Sequence, residues 1–233
     1  MGSKFKVDGS FWDIFPDASI SVLTITGVDN KIRPEIMDKT QKLLDNSTLK
    51  SEKYLTEDTF SSNIIIQDWR QAFTKFKKKK GARSSIEALL KRVSQGQKFN
   101  SINPLVDIYN SISLEYGVPC GGEDLNMISD IMHLGTANGG ESFMPLDSDK
   151  DEPALPGEVI YYDNEGAICR SFNWREAQRT MLTEDTNNAI MVIEAINEEQ
   201  QIRGEQAILE LKCRIQNLLG VEGQIEVFKK PRE

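Results

Sequence analysis

The chain has 233 residues, 39% hydrophobic and 27% charged, with a net charge of −8. That length allows one larger domain or two small ones, with a core that needs no disulfide staples. The acidity removes any general attraction to a polyanion, so a nucleic-acid contact would have to be local. Cys120, Cys169 and Cys213 are scattered and form no CxxC pair, which points to neither a disulfide framework nor a zinc site. Free thiols fit a reducing compartment, and a cytoplasmic protein is expected. The opening MGSKFKVDGSFWD lacks the apolar run of a signal peptide, and no stretch approaches the roughly 20 apolar residues of a membrane span.

In chain order, Ser19 to Ile25 alternates as a strand and ends in a turn at Gly27. Residues 33–45 have helical spacing, with Pro34 in the first turn. The stretch SSNIIIQDWRQAFTKFKKKK reads as a second helix whose terminal lysines suit its negative pole. A capping box at Ser84 and Glu87 starts a third helix, which Gly96 stops. Asn103 as N-cap, Pro104 at the first position and Gly117 at the end bracket a fourth. The residues after it, Gly-Val-Pro-Cys-Gly-Gly-Glu-Asp (117–124), read as a bend.

Beyond Asp124 the texture changes to short strands at 158–162, 167–172 and 189–196, the first two joined by a hairpin loop at Asp163 to Gly166. The acidic segment 147–158 reads as a surface loop. A last amphipathic helix is predicted over 198–219. Helices first and a meander after them favour an α+β class.

The sequence has no phosphate loop, no GxGxxG and no GxSxG, and His133 is its only histidine. A histidine-rich metal centre is therefore impossible, and no cofactor is expected. His133 reads as a surface or packed residue. Three groups of residues carry potential chemistry. Lys77, Lys78, Lys79, Lys80 and Arg83, with Phe73 and Phe76 interleaved, form either a solvated helix end or a phosphate-contacting patch. Gly121-Gly122-Glu123-Asp124 follows the fourth helix. Trp174-Arg175-Glu176 joins an aromatic ring that can stack, a guanidinium that can pair with phosphate and a carboxylate that can accept a proton. It reads equally as a turn with a core tryptophan and a surface ion pair.

NPLVDIYNSISLEYGVPCGGEDL resembles the helix and following bend of the editing module in bacterial phenylalanyl-tRNA synthetase beta chains, its tandem third and fourth domains. IMHLGTANGGESFMPLD, GEVIYYDNEGAI and LTEDTNNAIMVIEAI resemble later elements of that module, in the same order, over residues 85 to 196. The resemblance implies a three-layer α+β fold containing a β-sandwich, as one freestanding unit over 1–233 with a C-terminal helix and tail over 197–233. It implies hydrolysis or binding of a mischarged aminoacyl-tRNA, with the tRNA acceptor end over the lysine patch.

Carried over by position, the family's site threonine falls at Tyr109, its histidine at Gly121 and its glutamate at Glu176. The first two have changed type, so the family's tyrosine specificity does not transfer. Within this resemblance, Glu176, Gly121 and Gly122 are the candidate catalytic residues, the glycines as backbone donors to an oxyanion. Tyr109, Glu123, Asp124, Trp174 and Arg175 are candidate substrate contacts. Two other readings stay open: a catalytically silent tRNA-binding module, and a small-molecule amino-acid binding protein of the same fold.

Overall fold

The computed structural model describes residues 3–146 and 148–231. Asp147, the first residue of the predicted acidic loop, lies outside the described residues. In chain order the elements are β1 (Phe5–Val7), α1 (Gly9–Ile14), β2 (Ser19–Thr26), α2 (Pro34–Ser51), α3 (Ile64–Ala72), α4 (Ser85–Ser94), α5 (Pro104–Tyr116) and β3 (Cys120–Asp124). They continue with β4 (Met132–Thr136), β5 (Val159–Tyr162), β6 (Ala167–Arg170), β7 (Arg175–Glu176), β8 (Asn188–Ala195), α6 (Glu198–Leu219) and β9 (Gly223–Lys229).

The strands make two sheets: a five-stranded one in the order β1-β4-β5-β6-β7 and a four-stranded one in the order β3-β8-β2-β9. Alternation of side chains assigns each face. Ile20 and Val22 of β2, with Ile190 and Val192 of β8, meet Met132, Leu134, Val159, Tyr161 and Ile168 of the other sheet. Leu23, Ile25, Met191 and Ile193 point the opposite way and pack on Ile108 and Ile112 of α5 and Leu211 and Ile215 of α6. The result is the expected α+β fold in three layers: helices, four-stranded sheet, five-stranded sheet. β2 and β8 are covered on both faces, which is why their sequences are apolar at nearly every position.

α5 starts where Asn103 Oδ1 accepts the Val106 N–H at 3.1 Å and ends at Gly117, φ 63°. A Cβ at Gly117 would lie 2.7 Å from Ile65 Cδ1, so both conformation and space demand glycine there.

Three expectations need correction. The lysine-rich stretch is not helical, because α3 ends at Ala72 and a turn follows. Phe73 and Phe76 anchor that turn in the core, each under a tenth exposed, so neither ring is free to stack on a base. The tail after α6 is also a strand: β9 pairs with β2 along its length. The double-glycine segment is strand β3 rather than a bend, the turn being confined to Gly117, Val118 and Pro119.

Candidate functional site

Strand β3 runs antiparallel to β8, with Gly121 opposite Val192 and Glu123 opposite Ile190. Gly121 and Glu123 therefore face the space between the sheets, and Gly122 and Asp124 face the helices. Across that space β7 pairs with β6 so that Glu176 is opposite Cys169, and both point inward. A Cβ at Gly121 would lie 3.5 Å from Glu176 Oε1, whereas one at Gly122 would lie 2.5 Å from Met191 Sδ.

Between these strands is a cavity of about 210 Å³, lined by Gly121, Gly122, Glu123, Trp174, Arg175 and Glu176 among others. The two distant candidate segments thus border one hollow. Its remaining wall is largely apolar, with Met132, Leu146, Cys169 and Val192. The β6–β7 corner that carries Trp174 turns through two consecutive non-glycine residues with positive φ, Ser171 at 48° and Phe172 at 66°. Phe172 is fully buried and holds this corner, its ring 5.4 Å from Phe11, 5.5 Å from Phe15 and 5.6 Å from Trp69.

Glu194, which the sequence reading left unmarked, also lines the cavity. It shares a face of β8 with Ile190 and Val192 and accepts a 2.7 Å hydrogen bond from the Tyr161 hydroxyl on its Oε1. Among the described residues, Glu123 Oε2, Glu194 Oε2 and Asn173 Nδ2 have no hydrogen-bond partner. Burial pushes the carboxyls of Glu176 and Glu194 up to about 7. Burial first, and then the charge of Glu176, hold Glu123 well above the ordinary carboxyl range. Burial likewise raises the thiols of Cys120 and Cys169, which makes both poor nucleophiles.

Other candidates are placed differently. Tyr109 is not among the cavity lining. It is buried with α5, its hydroxyl raised by burial first and then by the charge of Glu176. Asp124 faces away from the cavity and is committed to structure, accepting from Asn126 N at 2.9 Å and Thr186 Oγ1 at 2.7 Å. Gly121 and Gly122 belong to a ladder, and ladder N–H groups lie in the plane of the sheet rather than pointing into the hollow. What Gly121 contributes is the missing Cβ. His133 stacks on Tyr162 at 5.1 Å and meets Asp8 at 3.0 Å, on the sheet face opposite Met132 and Leu134.

The basic segment approaches the cavity from outside. Lys77, Lys80 and Arg83 are exposed and Lys78 half-buried. Lys77 N donates to Gly157 O at 3.3 Å, and Lys79 pairs with Glu152, whose Oε2 is 3.8 Å from Arg175 Nη1. Arg175 in turn lies over the Trp174 ring at 5.2 Å. Ser85, just past the segment, is part of the cavity lining, and its N–H donates to Asn173 Oδ1 at 3.4 Å. Among the described residues, no group of His, Cys, Asp or Glu side chains is arranged to hold a metal ion, and no helix is long and apolar enough to cross a membrane.

Residues 68–217 match the family model of the B3/4 domain. None of the curated proteins compared matches the chain. Among solved structures, the chain is similar to an N-terminal fragment of the phenylalanyl-tRNA synthetase beta-subunit from Pyrococcus horikoshii. That similarity has 12% identity and a TM-score of 0.49, over 98% of this chain and 54% of that one. The chain therefore spans about half the length of that fragment.

Proposed function

The chain belongs to the B3/4 domain family, and from that premise we propose that it is an aminoacyl-tRNA editing protein that hydrolyses the ester of a mischarged aminoacyl end. One observation carries this reading: buried carboxyls and apolar walls share a cavity sized for an aminoacyl group, beside an exposed basic segment. The carboxyls suit an ammonium group, and the apolar wall suits the carbon chain. Lys77, Lys78, Lys80 and Arg83 supply the local positive charge that an acidic chain needs to hold an acceptor end.

In this proposal Glu123 holds the α-ammonium group and Glu176 acts as general base. A carboxyl with a pKa near the working pH is well matched to that task. A water gives a proton to Glu176 as its oxygen attacks the ester carbonyl carbon. Collapse of the tetrahedral intermediate breaks the bond to the ribose oxygen, which takes the proton back from Glu176. The net change is addition of water across the ester. Holding the water beside an activated ester supplies much of the rate, and the missing Cβ of Gly121 leaves Glu176 Oε1 uncovered on that side.

Deacylation assays on a panel of mischarged tRNAs test the reading. Wild-type protein should release the amino acid from at least one of them, and Glu176→Gln should lose that activity while melting no lower than wild type. Equal rates in the two proteins would remove Glu176 from the reaction. Salt-sensitive tRNA binding without hydrolysis of any charged tRNA would favour a module that binds without catalysis.

A further inference from the structure

The cavity holds more acid than one ammonium group can use. In register, Glu123 lies opposite Ile190, Gly121 opposite Val192, and the Glu194 N–H donates to Pro119 O. Glu176 Oε1 sits at the Gly121 level. The carboxyls therefore occupy successive levels along one trough, each level two residues or about 7 Å from the next. Arg175 is the one basic residue in the lining, and its guanidinium is placed over Trp174 and near Glu152. Glu194 is 3% exposed, its Oε1 takes the Tyr161 hydroxyl, and its Oε2 has only the neutral Asn173 amide near it, outside normal hydrogen-bond geometry, so no charged donor meets it among the described residues. A buried oxygen left this way is costly unless a donor reaches it, and a cation is the donor that best matches a carboxylate.

We infer that the cavity selects aminoacyl groups whose side chain ends in a second cation, of the lysine or ornithine type, with the α-ammonium at the Glu123–Glu176 end and the side-chain ammonium at Glu194. An extended lysine chain separates its two nitrogens by roughly 7 Å from its bond lengths, which with a hydrogen bond of about 3 Å at each end nearly spans the two levels, about 14 Å, from Glu123 to Glu194. The methylenes between them match the apolar wall of Met132 and Val192. A ligand with one ammonium would leave two of the three carboxyls without a positive partner. This inference rests on the reading of the cavity as an aminoacyl site.

Calorimetric titration of the full chain with lysinamide, norleucinamide and tyrosinamide tests it. Norleucinamide keeps the chain length and the α-ammonium but lacks the second charge. Lysinamide should bind at least tenfold more tightly than either, and Glu194→Gln should reduce its preference over norleucinamide by a similar factor. Equal affinities, tighter binding of tyrosinamide, or no binding of lysinamide would overturn the inference. Deacylation of charged tRNAs separates this result from the broader reading. Hydrolysis that ignores side-chain charge sinks the inference alone. A lysinamide preference in a protein that deacylates no tRNA sinks the hydrolase reading alone.

Discussion

Gly121 and Glu176, 55 residues apart in sequence, meet across the cavity: a Cβ on the glycine would stand 3.5 Å from the glutamate's Oε1. That is ordinary van der Waals contact, and Gly121 lies in a regular strand. Its neighbour is different, because a Cβ on Gly122 would be 2.5 Å from Met191 Sδ and 3.1 Å from Leu182 Cδ1. Gly121→Ala should therefore fold normally, within about 0.5 kcal/mol of wild type, yet weaken ligand entry. Gly122→Ala should cost about 1–3 kcal/mol through overpacking of the buried Met191 and Leu182. Urea denaturation of the pair, with amide binding measured alongside, checks both.

The acid cluster gives stability a distinctive pH dependence. Glu123, Glu176 and Glu194 titrate higher in the folded protein than the about 4.3 of an unfolded glutamate. The folded state thus binds more protons in the window from about 4.5 to 7, and stability falls as pH rises through it. The charges of Arg179 and Asp163 face Glu123, and the neutral hydrogen-bonding groups of Tyr161 and Asn173 face Glu194. Carboxyls held low, such as Asp163 beside Arg179, act below that window. The melting temperature should drop between pH 5 and pH 8. Glu194→Gln should reduce that drop by about 2–4 °C for each kcal/mol regained. A flat wild-type profile would contradict the placement of these groups.

Beneath the β6–β7 corner, Arg170 and Glu158 form a buried pair. Arg170 Nη2 donates to Glu158 Oε2 at 2.6 Å, and Ser171 Oγ donates to Oε1 at 2.6 Å, both charged side chains being almost fully covered. Removing one partner leaves an uncompensated buried charge. Arg170→Met should destabilise by about 3–5 kcal/mol, and Arg170→Met with Glu158→Leu should recover much of the loss. Equilibrium unfolding of the single and double variants measures this directly.

For the basic segment the diagnostic is salt. Replacing Lys78, Lys80 and Arg83 by alanine should weaken tRNA binding and flatten the dependence of log Kd on log salt by about one for each lost phosphate contact. Lys79→Ala should do less, because that side chain is already engaged by Glu152. Filter-binding isotherms at several salt concentrations distinguish the two.

Elements whose local signals agreed were legible in the sequence. α5 announces itself with Asn103, Pro104 and Gly117, and α6 spans the predicted 198–219. Other elements were hidden because tertiary pairing overrides propensity. Two adjacent glycines argue against a strand, yet β8 offers a ladder, Gly122 leaves room for Met191 on the helix side, and Gly121 leaves a Cβ position open toward the cavity. The lysine run looked like a helix end, but Phe73 and Phe76 turn the chain into the core instead. Glu194 was findable: in NAIMVIEA it is the one charged residue, on the same parity as Ile190 and Val192. Pairing Glu123 with Glu176 was not, since only the meeting of β3 and β7 across two sheets brings them together.

β2 lies in the middle of its sheet, between β8 and β9, and Phe11 and Phe15 hold Phe172, yet all three lie ahead of the 68–217 span that matches the family. A fragment trimmed to that span would have β8 unpaired along one side and the corner beneath Trp174 unsupported. Excision by homology boundaries should therefore yield an aggregating piece without a complete cavity, and engineers grafting this B3/4 unit onto another protein will need to carry its leading third along.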